Sequence, residues 1–475
     1  MPAKFGTSGL RGLVEDLTDG TAAAHAAAFV GHLASSGAIK AGDRVFVGQD
    51  LRPSSAEIAA QVMAAVEDEG FVPVDCDTLP TPALALYAMA AGSASIMVTG
   101  SHIPADRNGV KFYRRDGEID KADEAAMSAR AGGVDRAHLR AAPHHVPDKQ
   151  QTAALTAYVA RYAGFVPEGA LKGLRIGVYQ HSTVARDLFA EIFRMTGAEL
   201  VPLGRSDRFV PVDTEAVDDH TSERIRVWVE RHELDMLVSA DGDADRPLVA
   251  DETGACLRGD VLGLIAAREL GAGAIVTPVT SNSGIERLST GTVLRTRVGS
   301  PYVIAGMQSA LAAGSKGVIG FEANGGVLTG SPFTLGGAAL APLATRDCLL
   351  PILAVILAAH RGRTSLSGLV AGLALPVAVS GRIENFSTET GQKLVATLSS
   401  DETARRDFLG PLGACASVDL TDGLRMTLAD GRILHLRPSG NAPELRIYAE
   451  APTAEAAEAL VEACIKRLST VLPAA

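Results

Sequence analysis

The chain has 475 residues, 47% hydrophobic and 21% charged, a balance that excludes intrinsic disorder and leaves room for about three domains with cores of their own. Lys and Arg number 44 against 55 Asp and Glu, a formal charge of −11, which argues against a surface built for duplex nucleic acid. Any phosphorylated ligand must then be met by local arginine or lysine working against the global field.

Cys76, Cys256, Cys348, Cys415 and Cys464 are odd in number and widely spaced, so reduced thiols and a cytoplasmic location are expected, not disulfides or a zinc site. The N-terminal residues lack the apolar stretch of a signal peptide. The longest apolar run, 349–359, contains Pro351 and is far short of the roughly 20 residues that span a bilayer. It reads as a buried helix, and no membrane partner is expected.

In chain order, 43–48 reads as a buried strand, 55–69 has helical apolar spacing, 72–74 starts a strand, and 95–98 is a β-favouring run that stops at Gly100. Between about 132 and 151 the pattern breaks into Gly, Pro, His and charge, which marks a boundary. The rhythm restarts with a strand at 174–179, helices at 184–196 and 225–232, and a strand at 234–239. It continues with strands at 275–279 and 317–321. This is the alternation of a parallel sheet, whose ligands gather at the carboxyl ends of strands. Each restart is read as a strand, a Ser/Thr-rich turn and then a helix.

After about Pro376 short strands at 377–383, 423–428, 433–436 and 445–449 follow, with Asp430-Gly431 as a hairpin turn and a closing helix at 454–471 capped by Thr453. The predicted fold is therefore three similar mixed α/β units and a smaller C-terminal α+β domain, with boundaries at 1–145, 152–254, 255–372 and 373–475.

Five loops carry the chemistry. In Thr99-Gly100-Ser101-His102-Ile103-Pro104 a hydroxyl follows the end of a strand, which makes Ser101 a candidate nucleophile; an ordinary turn with Ser101 as a cap is the alternative. The spacing of a Gly-x-Ser-x-Gly elbow is absent. Asp241, Asp243 and Asp245 alternate with Gly242 and Ala244 after a strand, a set of hard oxygen ligands suited to magnesium. A calcium EF-hand does not fit, because Arg246 holds its obligatory glycine position; a solvated acidic turn stays open.

Glu322 and Asn324, two apart among glycines, can bind the hydroxyls of one sugar, although a glycine-rich turn with an incidental glutamate fits as well. Arg437 and Arg446 bracket Ser439, Gly440 and Asn441 as an oxyanion cradle or a salt-bridged surface loop. Thr7, Ser8 and Arg11, in the glycine-rich segment 5–12, belong either to an anion site or to a flexible N-terminus.

In this order and at these intervals, the five segments resemble the α-D-phosphohexomutase superfamily of phosphomannomutases and phosphoglucomutases. The resemblance implies four domains around a central cleft, with Ser101 as a phosphoserine. It also implies Mg2+ held by Asp241, Asp243 and Asp245 with a phosphoserine oxygen, Arg246 steadying the reacting phosphate, and a hexose 1,6-bisphosphate as intermediate and activator. Glu322 and Asn324 would hold sugar hydroxyls, and Arg437, Ser439, Gly440, Asn441 and Arg446 the phosphate not being transferred.

Lys111 matches a family lysine near the serine and, with a lowered pKa, would act as general base; Arg11 and His102 lie nearby by the same analogy. The implied reaction interconverts mannose 6-phosphate and mannose 1-phosphate. Glucose phosphates, glucosamine phosphates and a metal-dependent sugar phosphatase are the alternatives. The chain departs from the family at Gly100, Ile103 and Ala244. It also has Gly326, and Gly299-Ser300-Pro301, where bifunctional members carry histidines, which leaves the acid/base group and the preferred epimer open.

Overall fold

Apolar runs rich in Val and Ile bury on both faces and so become central strands of parallel sheets. In the computed structural model, which describes residues 3–6, 8–439 and 443–471, this happens three times with one topology. The first sheet orders Val72–Thr78, Arg44–Gln49, Ala94–Val98 and Arg107–Arg114 side by side. The second orders Glu199–Leu203, Arg175–Tyr179, Met236–Ala240 and Pro247–Ala250. The third orders Thr292–Thr296, Ala274–Pro278, Val318–Phe321 and Val327–Thr329. In each, the first three strands are parallel and the fourth runs back antiparallel. Three α/β units of one kind are thus visible in topology where their residues show little similarity.

The expected strand, turn and helix order needs correction at the loops that matter. The loops after Val98, Ala240 and Phe321 each lead into the antiparallel fourth strand, not into a helix. A parallel continuation needs a crossover of about a dozen residues, whereas a short loop rich in Gly, Ala and Pro permits only a return alongside the same strand. Each chemistry-bearing loop is therefore pinned at both ends to a sheet.

The first sheet extends on one side to Leu10–Leu13 and Lys4–Phe5, and on the other to Asp148–Lys149. Its last strand thus lies just past the boundary expected at 145. The C-terminal sheet is wholly antiparallel, in the order Val377–Glu384, Glu444–Ala451, Ile433–Pro438, Leu424–Leu428 and Cys415–Asp419. Helix Ala454–Val471 packs on it, and Thr453 Oγ1 accepts from Ala456 N at its start.

The run read as a buried helix is one, Leu349–Gly362, with Leu349 through Leu357 buried. It belongs to the large apolar cluster that also takes in Phe46, Leu84, Tyr158, Phe189, Val238 and Phe321, so the first three units share one core. Among the described residues no single helix is long and apolar enough to cross a membrane. All five cysteines are unpaired.

Candidate active site

Ser101 follows the fully buried strand Ala94–Val98 in a left-handed conformation, φ +56°, which a non-glycine residue adopts only where its surroundings hold it there. Its N–H donates to Thr99 Oγ1 at 2.8 Å, and Thr99 Oγ1 donates to Asp50 Oδ2 at 2.7 Å. Arg52 supports the loop from behind, donating to the carbonyls of Ser101 (3.1 Å), Pro104 (2.7 Å), Arg107 (2.9 Å) and Ile103. Phe209, from the second unit, packs 4.0 Å from the guanidinium. The Arg52 guanidinium occupies the space a Cβ at Gly100 would need, 2.6 Å from it, which explains glycine there.

So oriented, the Ser101 hydroxyl donates to Asp241 Oδ2, and His102 Nδ1 lies 3.2 Å from Ser101 Oγ. Asp241, Asp243 and Asp245 are fully buried, and one carboxylate oxygen from each lies within 4.8 Å of the others. The hairpin makes this possible: Ala244 takes φ +59°, and Ala244 N donates to the Asp241 carbonyl at 3.2 Å, turning the three side chains to one side.

Two observations show that a divalent cation fits this donor set. Asp243 Oδ1 and Asp245 Oδ1 are buried with no hydrogen-bond partner, an arrangement that is costly unless something positive completes it. Burial and then the charges of Asp243 and Asp245 push the Asp241 carboxyl well above its usual range, so the cluster repels its own charge. Three hard carboxylates suit Mg2+.

The remaining carboxylate oxygens are taken by cations of the protein. Lys111 Nζ donates to Asp243 Oδ2 and Asp245 Oδ2, both at 2.6 Å, and Arg346 Nη2 donates to Asp245 Oδ2 at 2.6 Å. The lowered pKa required of Lys111 as a base is not found. Burial alone would depress it, but Asp243 and Asp245 outweigh burial and raise it, so the ammonium stays charged. Burial, then Arg246, lower Arg11 to about 10, and it too remains a cation at neutral pH. Burial, followed by Arg246 and Arg11, drives His102 far below its ordinary range, leaving it neutral.

Glu322 and Asn324 lie in the third hairpin, Glu322 Oε2 accepting from Arg346 Nη1 at 2.8 Å and Ser300 Oγ at 3.0 Å. Asn324 Oδ1 accepts from Gly326 N at 3.1 Å. Burial would raise the Glu322 pKa, but Arg346 and Arg246 more than offset it, and the carboxylate stays ionised. In the C-terminal sheet Arg437 Nε donates to Asp422 Oδ2 at 2.8 Å, and Arg446 pairs with Glu444 at 2.8 Å. Ser439 N donates to the Glu444 carbonyl at 2.9 Å, closing the loop between them. Thr7, Gly440 and Asn441 lie outside the described residues. Ser8 Oγ accepts from Arg346 Nη2 at 3.2 Å.

A cleft of about 420 Å³ is lined from all four units, by Arg11, His102, Arg246, Glu322, Asn324, Arg346, Arg437, Ser439, Arg446 and Tyr448 among others. An acidic chain thus turns a concentrated cationic surface inward, and His102 and Arg246, next in sequence to Ser101 and Asp245, join the cleft to the serine and the carboxylate cluster.

Sequence reasoning missed Arg52, Thr81, Arg346 and Asp422. Thr81 N donates to the Asp243 carbonyl at 2.9 Å and its hydroxyl to the Asp243 side chain, and Asp422 Oδ2 accepts from both Arg437 and Val298 N (3.0 Å). Only Arg346 left a signal: Arg346-Asp347 is a charged pair inside an otherwise apolar run, where charge survives only if partnered. It also accounts for Gly326, since a Cβ there would lie 2.6 Å from the Asp245 carbonyl and 2.7 Å from Arg346 Cδ.

Comparison with known proteins matches three family models to the chain: phosphoglucomutase/phosphomannomutase alpha/beta/alpha domain I over residues 2–135, alpha/beta/alpha domain III over 258–376, and the C-terminal domain over 391–467. A phosphomannomutase of Sinorhizobium fredii is 53% identical, the alignment covering 97% of this chain and 98% of that one. A phosphomannomutase of Salmonella muenchen is 42% identical, with 98% and 96% covered. Among solved structures, a phosphoglucomutase/phosphomannomutase family protein from Burkholderia thailandensis superposes with a TM-score of 0.77 at 22% identity, covering 99% of this chain and 98% of that one.

Proposed function

The chain belongs to the phosphoglucomutase/phosphomannomutase family and is a phosphohexomutase, an isomerase; on that premise we propose that it interconverts mannose 6-phosphate and mannose 1-phosphate through a phosphoserine at Ser101 and a hexose 1,6-bisphosphate. The observation that carries the site assignment is the Ser101 hydroxyl hydrogen-bonded to Asp241 within a buried three-carboxylate cluster, whose neighbours His102 and Arg246 line an arginine-rich cleft.

In the forward direction the bond between the Ser101 oxygen and phosphorus breaks as a sugar hydroxyl oxygen bonds to the same phosphorus, and the proton the sugar gives up ends on the departing Ser101 oxygen, regenerating its hydroxyl. The bisphosphate turns over in the cleft, and the Ser101 oxygen takes the other phosphoryl group, leaving the isomerised monophosphate. Such transfers depend on positioning and charge neutralisation. Asp241, Asp243 and Asp245 would hold Mg2+ beside Ser101, where the ion would offset the charge that builds on the phosphoryl group.

Arg246 steadies that group. Arg437, Ser439 and Arg446 grip the phosphate that stays, and the assignment of Thr7, Ser8, Gly440 and Asn441 to substrate binding rests on the resemblance to the family. Glu322 and Asn324 hold the sugar hydroxyls between. Lys111 and Arg11 act as fixed positive charges, and neutral His102 orients the serine through Nδ1.

The four larger sheets support a division near 1–145, 152–254, 255–372 and 373–475, with the first unit running on to Lys149, and the unpaired cysteines support a cytoplasmic location. The test is turnover of mannose 1-phosphate, glucose 1-phosphate and glucosamine 1-phosphate under one condition, with Mg2+ and catalytic hexose 1,6-bisphosphate. The reading predicts the highest kcat/KM for mannose 1-phosphate. No mannose turnover contradicts it, and inorganic phosphate released faster than isomerised product would indicate a phosphatase.

A further inference from the structure

Arg346 is buried at 2% exposure, and its one guanidinium touches three parts of the site. Nε and Nη2 donate to Asp245 Oδ2 (3.1 and 2.6 Å), Nη1 to Glu322 Oε2 (2.8 Å) and the Ser300 hydroxyl, and Nη2 also to Ser8 Oγ (3.2 Å). In each carboxylate it takes one oxygen and leaves the other without a hydrogen bond. Asp245 Oδ1 accepts no hydrogen bond, with Arg246 Nε 3.7 Å from it, and Glu322 Oε1 accepts none among the described residues. A planar fork can fix the rotation of two carboxylates at once, which a point charge on a flexible stem cannot.

Gly326 is the other half of the arrangement, since any side chain there would enter the volume of Arg346 Cβ and Cδ (2.9 and 2.7 Å from a built Cβ). We propose that Arg346 is a positioning residue that couples the cation loop to the sugar loop, setting the free oxygen of Asp245 toward the metal and the free oxygen of Glu322 toward the sugar. This rests on the phosphohexomutase reading for the sugar side, while the metal side stands on geometry alone.

The test uses the full chain with Arg346→Lys and Arg346→Gln. Mn2+ binding is followed by the electron paramagnetic resonance signal of the free ion, which needs no turnover, and KM and kcat are measured with mannose 1-phosphate. Residues that orient metal ligands from outside the coordination shell change affinity by about 10- to 100-fold when replaced. In Arg346→Lys the Mn2+ dissociation constant and the sugar KM are both expected to rise about tenfold, and in Arg346→Gln further.

If Arg346 supplied charge balance only, lysine would restore both constants to wild-type values, and that result overturns the proposal. So does a change in one constant without the other. Should Arg346→Lys not fold, Ser300→Ala removes the hydroxyl seated between Arg346 and Glu322. A severalfold rise in sugar KM with unchanged Mn2+ binding is then expected, and no change in KM overturns the coupling. Wild-type chain that fails to turn over mannose 1-phosphate but loses Mn2+ affinity in Arg346→Lys would refute the substrate, not the role of Arg346.

Discussion

Replacing Gly242 with alanine places a methyl carbon 2.6 Å from the carbonyl oxygen of Ser101, where ordinary contact begins at 3.4 Å. Something must move by about 0.8 Å, and the surroundings decide what. The Ser101 carbonyl is held by Arg52 Nη2 at 3.1 Å, Arg52 in turn packs against Phe209 at 4.0 Å, and Phe209 itself lies 3.3 Å from the new methyl. The serine loop therefore cannot swing back freely, and the strain falls on the hydrogen bond between Ser101 Oγ and Asp241. A misplacement near 1 Å costs about 100-fold in rate for a reaction that depends on alignment, and overpacking costs about 1–3 kcal/mol in stability. Mutase activity at saturating Mg2+ and hexose bisphosphate, with urea unfolding in parallel, gives both numbers. Gly242→Ala with kcat/KM within twofold of wild type would refute the claim that the two loops must meet this closely.

Asp422→Ala removes the carboxylate that ties Arg437 to the third unit through Val298 N. With charge-assisted hydrogen bonds worth about 1.5–3 kcal/mol, KM for the sugar phosphate should rise at least about tenfold with kcat less affected, and an unchanged KM would place Arg437 outside the phosphate site. Gly326→His should not restore a catalytic histidine. Its Cβ meets the Asp245 carbonyl and Arg346, so unfolding is expected at lower urea and Mn2+ binding should weaken, and normal stability would contradict the packing described.

His181 and His435 are buried and held to about 4 chiefly by desolvation, each making one ring-nitrogen hydrogen bond to a backbone carbonyl, of Ala240 and Asp422. The unfolded chain binds their protons below about 6.5 while the folded chain does not until about 4, so their stability contribution is full above pH 6.5 and falls through that window. The loss is of order 3 kcal/mol per histidine by pH 4. Urea unfolding at pH 7, 6 and 5 should show a declining midpoint that His435→Gln flattens; a flat wild-type profile would contradict it.

The strands at 43–48, 95–98, 174–179, 234–239, 275–279 and 317–321 were legible because burial on both faces leaves an unbroken apolar run. The return strands Pro247–Ala250 and Val327–Thr329 were not, being short and lacking a period of their own. Helix Thr21–Ser35 escaped for the opposite reason: eleven of its residues, from Thr21 to Leu33, are buried, so no polar face marks it.

The serine, the three aspartates and the sugar loop were readable because each is a local cluster of reactive groups among small residues. Arg52 left no signal and Arg346 only that of a charged pair in an apolar run, since the groups they hold lie far along the chain, 49 residues away at Ser101 for Arg52 and 24, 101 and 338 at Glu322, Asp245 and Ser8 for Arg346. The order of hydroxyl, acidic and glycine-rich loops pointed to the site. What locks it together is long-range.

The most direct test of the central claim is the mass of the intact protein, and of the peptide containing Ser101, before and after exposure to a hexose 1,6-bisphosphate with Mg2+. One phosphoryl group on the wild type, located on Ser101 and removed by subsequent incubation with mannose 6-phosphate, is the predicted result. A phosphoryl group on another residue, or one that persists when the sugar phosphate is added, would contradict it.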